Sequence, residues 1–161
     1  MTKDDTDSVF AMRSDADVMR FIRSPHITKR DAASWVNLVS SRWEKEKIGF
    51  CAVIEKTSDN FVGWCGLWRL QETGETEVGY ALFKEHWGKG FAVEASEACL
   101  KYGFDKLNLE KIVAVAQPAN KNSRRVMEKL EMNFDGIGKF YEMDLVHYSI
   151  TREVWKKLKN K

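Results

Sequence analysis

Apolar residues recur every three to four positions in four stretches of the chain. This spacing predicts amphipathic helices over residues 7–22, 28–45, 90–104 and 120–132. We expect the first helix to break near Ser14-Asp15. Thr28 and Asn120 are candidate N-caps of the second and fourth helices, because their side chains can accept the first unpaired amide hydrogens.

The spacing also predicts which side chains of these helices face the core. On the second helix they are Ala32, Trp35, Leu38, Val39 and Trp43. On the third they are Phe91, Ala92, Ala95, Ala98, Cys99 and Tyr102. On the fourth they are Val126, Met127 and Leu130.

Shorter apolar runs, separated by turn-forming residues, predict strands. Three of them form an antiparallel meander over residues 49–55, 61–70 and 75–83. The nearly continuous apolar run 111–117 predicts a strand buried on both faces. Two closing strands are expected around residues 136–138 and 145–154. The order of elements predicts one α/β domain over residues 1–161, with a mixed sheet and helices on both faces.

Composition narrows the function classes. Apolar residues make up 43% of the 161 residues, which is enough for one core. The 26 basic and 24 acidic residues are interspersed, which argues against a nucleic-acid partner. Cys51, Cys65 and Cys99 lie in apolar segments without metal or disulfide spacing and indicate a reducing compartment. No stretch resembles a leader or a span of about 20 apolar residues, so we expect a cytoplasmic protein without a membrane partner.

The segment 80–95 is the strongest candidate for chemistry, because a strand, a glycine-bearing loop and a helix follow one another directly. The first amide hydrogens of a helix lack intrahelical partners and lie at the positive end of its dipole, which favours a phosphate. Gly88 and Gly90 lack the Cβ atoms that would obstruct the close approach of a phosphate to the backbone. The alternative is that two glycines simply form a turn.

Two common phosphate loops do not fit this segment. A P-loop needs a serine or threonine after its lysine, whereas Lys89 is followed by Gly90 and Phe91, so no hydroxyl is available for magnesium. A dinucleotide fingerprint needs a small residue where Val93 stands and an acidic residue at the end of the next strand. Glu110 precedes that strand instead.

The loop Trp87-Gly-Lys-Gly90-Phe-Ala92 resembles the pyrophosphate loop of the GNAT superfamily, whose pattern is Gln/Arg-x-x-Gly-x-Gly/Ala. It matches at Gly90 and Ala92 and departs at Trp87, and an aromatic residue before Gly-Lys-Gly is common in the RimJ/RimL-type branch. Further similar segments follow in the family's order at 18–22, 61–67, 77–80 and 120–130. The resemblance implies a mostly antiparallel sheet with splayed central strands, and an N-acetyltransferase that uses acetyl-CoA and no metal.

The resemblance also implies where the cofactor binds. Pantetheine would lie between the strand that ends near Leu82 and the buried strand after the loop helix. The implied cofactor-binding residues are Leu82, Trp87, Gly88, Lys89, Gly90, Phe91, Ala92, Asn120 and Ser123. Lys89 would add positive charge near the pyrophosphate, and an ordinary surface lysine is the alternative interpretation.

Acetyl transfer requires a neutral amine, a stabilised oxyanion and a proton for the leaving thiolate. Glu77, on the strand that borders the implied acyl site, is the candidate base, with a solvated cross-strand charge as the alternative. A backbone amide within 79–82 would stabilise the oxyanion. Many members carry a tyrosine as acid where Met127 stands, and methionine cannot donate a proton. Ser123 is the nearest candidate for the thiol, unless it only caps the helix, and Tyr141 is a weaker one.

The acceptor is an amine, on a small molecule or a protein N-terminus. Trp64, Trp68 and Tyr80 could line its groove, although aromatic residues on strands more often serve packing. A non-catalytic acyl-CoA-binding or regulatory module with the same fold is the competing hypothesis, favoured by the methionine at position 127 and by the short N-terminus.

Family members usually begin with a strand before the first helix, and this chain shows no such strand. We therefore expect the strand at 49–55 to form a sheet edge. Such an edge favours pairing with a second copy in a homodimer, unless one of the termini covers it.

Overall fold

The structure, a computed structural model, describes residues 1–22 and 28–160. These residues form two compact units. The first unit comprises Met1–Gly66 and Tyr80–Ala92, and the second comprises Leu67–Gly79 and Val93–Lys161. The strands Phe61–Arg69 and Thr76–Leu82 contribute residues to both units. The single domain over the whole chain stays a prediction.

The described residues contain six strands, all at predicted places. They are β1 (Phe50–Ile54), β2 (Phe61–Arg69), β3 (Thr76–Leu82), β4 (Lys111–Ala116), β5 (Asn133–Phe140) and β6 (Met143–Thr151). Their order in the sheet is β1-β2-β3-β4-β6-β5. The pairs β1–β2, β4–β6 and β5–β6 are antiparallel, whereas β3 and β4 are parallel. The predicted mixed sheet is therefore confirmed, and β1 is a terminal strand, as expected.

The described helices are α1 (Thr6–Ser14), α2 (Ala16–Met19), α3 (Lys29–Glu46), α4 (Phe91–Asp105), α5 (Lys121–Lys129) and α6 (Arg152–Lys159). Short 3₁₀ turns cover Lys3–Asp5 and Lys84–His86. The predicted break falls at Asp15, whose carboxylate accepts the amide hydrogens of Asp17 and Val18 and so caps α2. Thr28 caps α3 together with Asp31 in a reciprocal capping box.

The core of the first unit is built around α1, α3 and the first strands. One cluster contains Met12, Val18, Met19, Trp64 and Ala81, and a second contains Val9, Ala32 and Val36. The predicted inward face of α3 was partly wrong, because Leu38 and Trp43 are 50% and 39% exposed. The buried residues Ala32, Val36 and Val39 are spaced by four and three positions, and Leu38 lies on a different side of the helix.

In the second unit, the buried face of α4 also differs from the predicted one. Ser96, Leu100, Gly103 and Phe104 are buried, whereas Ala98 is exposed. A Cβ atom on Gly103 would lie 2.6 Å from Cδ1 of Ile112, so the missing side chain lets α4 approach β4 closely.

The last strand was predicted to continue to residue 154, and this bound was wrong. The strand ends at Thr151, whose hydroxyl accepts the amide hydrogen of Val154 and caps α6. Trp155 of α6 is 5% exposed, and its ring lies 5.9 Å from that of Phe104. Burial of this indole holds α6 against Phe104 of α4.

Candidate functional site

The glycine-bearing loop of the first unit connects β3 to α4. After Leu82 the chain makes the 3₁₀ turn Lys84–His86, passes through residues 87–90 and enters α4 at Phe91. Gly88 and Gly90 have φ angles of +75° and +91°, which side-chain-bearing residues rarely adopt. A Cβ atom on either glycine would meet nothing within 4 Å. The loop therefore has an open outer side next to the first amide hydrogens of a helix.

Trp87 stands at the position where the family pattern has glutamine or arginine, and its indole forms a hydrogen bond within the loop region. Its indole N–H donates a 2.8 Å hydrogen bond to the carbonyl oxygen of Leu82. Its backbone N–H donates to Lys84 O at 3.1 Å, within the 3₁₀ turn. The indole thus fastens the loop to the end of β3, while 40% of the residue stays exposed.

The remaining loop residues differ in exposure. Lys89 is exposed, whereas Phe91 and Ala92 are half-buried. The Phe91 ring packs edge-on against His86, with centroids 5.7 Å apart. This contact anchors the start of α4 against the 3₁₀ turn.

In the second unit, Asn120 caps α5, as predicted. Its side-chain oxygen accepts the amide hydrogen of Ser123 at 3.1 Å. Ser123 is half-buried, and Met127, one turn further, is 1% exposed. The structure therefore brings the predicted pair Asn120 and Ser123 together through a helix cap.

Glu77 lies on the part of β3 that belongs to the second unit, aligned with Val113 of β4. It is only 7% exposed, so it is not the solvated surface charge of the alternative interpretation. Burial raises the pKa of its carboxyl to about 7; a hydrogen bond from Tyr141 opposes this shift, and the charge of Glu72 adds to it. A carboxyl of this kind gains and loses its proton near neutral pH.

Tyr141 reaches Glu77 from the turn between β5 and β6. Its phenol donates a hydrogen bond to Oε1 of Glu77, and its backbone N–H donates to Oε1 of Glu72 in the β2–β3 turn. Burial, followed by the charge and hydrogen bond of Glu77, raises the pKa of the phenol far above its ordinary value. Tyr141 thus links two carboxylates, those of Glu77 and Glu72, that lie 64 and 69 residues away in the sequence.

A comparison with protein families decides the identity of the chain. The profile of the family described as "Acetyltransferase (GNAT) domain" matches residues 1–133. The chain belongs to the GNAT acetyltransferase family. The resemblance to the GNAT superfamily is thereby confirmed, and this GNAT protein is an acetyl-CoA-dependent acyltransferase.

Individual relatives agree with this assignment. An uncharacterized N-acetyltransferase, p20, from Bacillus licheniformis is 33% identical over 88% of this chain and 81% of its own length. A GNAT-family acetyltransferase from Bacillus anthracis superposes with a TM-score of 0.80 at 30% identity, covering 95% and 92% of the two chains. An aminoglycoside acetyltransferase AAC(6')-Ib, solved with coenzyme A, has a TM-score of 0.84 at 15% identity over 99% and 96% of the chains, a likeness of fold alone.

The three aromatic residues predicted at the acceptor groove of this GNAT protein are buried to different degrees. Trp64 is 7% exposed and packs against Phe50 and Trp35, with centroids 4.5 and 5.7 Å away. Its indole therefore serves the core, as the alternative interpretation holds. Trp68 and Tyr80 are half-buried.

The sequence did not indicate Glu72 as a neighbour of the candidate base, and it made Tyr141 only a weaker candidate for the acid. The signal is absent because the turn at Tyr141 and Glu142 has φ angles of 51° and 61°, where asparagine and glycine are the usual residues. Nothing local therefore marks this hairpin or where its tyrosine points.

Residues 1–22 and 28–160 contain no helix that is long and apolar enough to cross a membrane. The same part of the chain contains no group of three or more His, Cys, Asp or Glu side chains arranged to hold a metal ion.

Proposed function

We propose that this protein transfers the acetyl group of acetyl-CoA to a primary amine by direct attack in a ternary complex, with Glu77 as the general base. The observation that carries the proposal is the buried Glu77 carboxyl, whose pKa is raised to about 7. An acceptor ammonium has a pKa of about 8 on an α-amine and about 10 on a lysine. A base with a pKa near 7 is matched to neutral pH, whereas a glutamate with an ordinary pKa would be a much weaker base.

The loop residues supply the binding half of the proposal. Backbone amides of residues 88–92, at the N-terminus of α4, would hold the pyrophosphate of acetyl-CoA, and the charge of Lys89 would add to this attraction. The positive φ angles of Gly88 and Gly90 support this role, because they shape the loop without side chains on its open side. Trp87 would act mainly by fixing the loop to Leu82.

The other cofactor contacts follow from the family resemblance. Backbone groups near Leu82 would hold pantetheine, and an amide within 79–82 would stabilise the oxyanion. Asn120 and Ser123 would lie by the cofactor, with the Ser123 hydroxyl oriented toward the thiol. Tyr141 is a poor proton donor for the thiolate, because its phenolic hydrogen is already bonded to Glu77 and its pKa is raised.

The loop sequence further suggests a RimJ/RimL-like enzyme, since Trp87 precedes Gly-Lys-Gly in the manner of that branch. The acceptor would then be a protein N-terminus or a small-molecule amine. Trp68 and Tyr80 are the better candidates to contact it, because Trp64 is occupied in the core. We propose a cytoplasmic location on the same grounds as before, namely the cysteine pattern.

Thiol release from acetyl-CoA, measured with a panel of primary amines, tests the proposal. At least one amine should release thiol at pH 7, and Glu77→Gln should slow that release by about 10²-fold or more while keeping acetyl-CoA affinity. High pH should partly rescue the variant, because the amine then loses its proton to solvent. Equal rates of parent and variant at every pH would place the base elsewhere. Binding without release across the panel would favour the non-catalytic module.

A further inference from the structure

We propose that Tyr141 is a positioning residue for Glu77: its phenol holds the buried carboxylate in one orientation, and the Glu72 carboxylate holds the turn that carries Tyr141. The inference rests on the proposed role of Glu77 as the base. It concerns residues that meet within the second unit, from the β2–β3 turn, β3 and the β5–β6 turn.

The backbone of the β5–β6 turn has a conformation that tyrosine and glutamate rarely adopt. Two residues, Tyr141 and Glu142, connect the paired residues Phe140 and Met143, and both have left-handed φ angles. A two-residue hairpin of this kind favours Asn-Gly, because side chains with a Cβ atom crowd the backbone there. A tyrosine in such a turn is sterically disfavoured, and such outliers persist where the surrounding contacts hold them.

The hydrogen bonds of Tyr141 supply contacts of this kind. In a two-residue hairpin the N–H of the first turn residue has no partner in the strand ladder. Here that N–H donates to Glu72, and the phenol of the same residue donates to Glu77. The backbone N–H and the phenol of Tyr141 therefore both donate to carboxylates, that of the exposed Glu72 and that of the buried Glu77.

The consequence for Glu77 is geometric and electrostatic. Because the phenol bonds Oε1, the carboxylate is held in one rotamer, and Oε2 is left to take the proton of the acceptor amine. A hydrogen bond to the ionised form also offsets part of the cost of burying the charge. Among the described residues, the charged or titratable groups that act on Glu77 are Tyr141 and Glu72, and its neighbour on β4, Val113, is apolar.

Removal of the phenolic hydroxyl in Tyr141→Phe tests the inference. The variant should ionise Glu77 only at higher pH, so the acid limb of the kcat/KM profile moves upward by about one pH unit. At pH 7 or below, kcat/KM falls about tenfold as a result of this shift, and above about pH 9 only a smaller loss remains, from a carboxylate that is ionised but less well oriented. An unshifted acid limb, or a loss that is equal at every pH, would overturn the inference.

Glu142→Gly is the matched control in the same turn. It removes the crowding at one left-handed position and leaves the phenol in place, so the acid limb should stay at the parental pH while the melting temperature rises. Both Glu72→Gln and Glu72→Ala remove a negative charge that raises the pKa of Glu77, and glutamine can still accept the Tyr141 N–H. The acid limb should therefore move downward in Glu72→Gln and lie at higher pH in Glu72→Ala than in Glu72→Gln, because only alanine releases the turn. Coincident acid limbs in these two variants would remove Glu72 from the arrangement.

A readout that does not depend on turnover completes the test. Carbon-13 NMR of glutamate-labelled protein, with the Glu77 signal identified by its absence in Glu77→Gln, follows the titration of this carboxyl directly. The midpoint should be higher in Tyr141→Phe than in the parent, and equal midpoints would contradict the positioning role. If Glu77→Gln itself keeps the parental pH profile, the proposed base is wrong. If Glu77→Gln loses activity and Tyr141→Phe does not shift, only the role of Tyr141 is wrong.

Discussion

The indole N–H of Trp87 donates a 2.8 Å hydrogen bond to the carbonyl oxygen of Leu82, and so joins the glycine-bearing loop to the strand before it. Trp87, the residue that departs from the family's loop pattern, therefore stabilises the loop. Its hydrogen bond attaches the start of the loop to β3, and the glycines give the loop its shape.

Trp87→Phe should weaken acetyl-CoA binding without unfolding the chain. The variant keeps the aromatic ring and loses a hydrogen bond of about 1 kcal/mol, which corresponds to a fall of roughly fivefold in affinity if the loop must be ordered to bind. Isothermal titration calorimetry measures the change. Trp43→Phe, at a tryptophan of similar exposure on α3, is the control and should bind as the parent does. An unchanged affinity in Trp87→Phe would show that the bond does not prepare the loop.

Gly90→Val should abolish acetyl-CoA binding, because it puts a branched side chain on the open side of the loop and strains its backbone. Gly136→Val separates the two effects. Gly136 also has a positive φ angle, +116° against +91° for Gly90, and also faces open space. Both variants should lose comparable stability in thermal melts, and only Gly90→Val should lose binding. We also expect equal parental affinity with and without a chelator, because the proposed site uses amides and no metal.

Glu77→Gln should stabilise the protein above neutral pH. The pKa of Glu77 is raised from 4.5 to about 7 by burial, so the folded chain keeps this proton where the unfolded chain has released it. The stability of the parent is therefore full below about pH 4.5 and falls as pH rises to about 7, by roughly 3 kcal/mol at most. Glutamine carries no charge and avoids this loss.

Urea unfolding at pH 5 and pH 8 measures this difference. The variant should exceed the parent clearly at pH 8 and only slightly at pH 5. Glu153→Gln, at an exposed glutamate of α6, should show no such pH dependence. A parent as stable as Glu77→Gln at pH 8 would mean that the Glu77 carboxylate is well compensated where it lies.

Trp155→Ala should destabilise the second unit strongly. The side chain is 5% exposed, lies 5.9 Å from the Phe104 ring and has Lys159 Nζ 4.6 Å from its own ring. Truncation of a buried tryptophan costs about 3 kcal/mol or more. Denaturant unfolding followed by circular dichroism gives the value, and Trp43→Ala, at a tryptophan 39% exposed, should cost much less. Equal losses would show that α6 contributes little to the core.

The terminal position of β1 leads us to expect a homodimer that pairs at this edge. Ile54 of β1 is 41% exposed, and Ile54→Lys places a charge where a second strand would pair. Light scattering should show a dimeric parent and a monomeric variant. Ile137→Lys, on the opposite terminal strand β5, is the matched control. Dissociation by Ile137→Lys alone would place the interface at β5, and a monomeric parent would refute the dimer.

The sequence by itself determined the features that depend on neighbouring residues. The break at Asp15 and the caps at Thr28 and Asn120 were predicted correctly, because a cap joins a side chain to an amide only two or three residues away. The glycines of the loop were identified for a similar reason, since the tolerance of a positive φ angle is a property of glycine itself. The family followed from this local pattern.

The tertiary structure decided what depends on distant neighbours. Leu38 was placed inward and is 50% exposed, because periodicity gives the side of a helix but not what covers it. Residues 152–154 were placed in a strand, yet they begin α6, whose Trp155 packs against Phe104. The hydrogen bond between Tyr141 and Glu77 spans 64 residues. The pKa of Glu77 follows from the same arrangement, because desolvation depends on which segments exclude water from a carboxyl, and the chain brings those segments together only by folding.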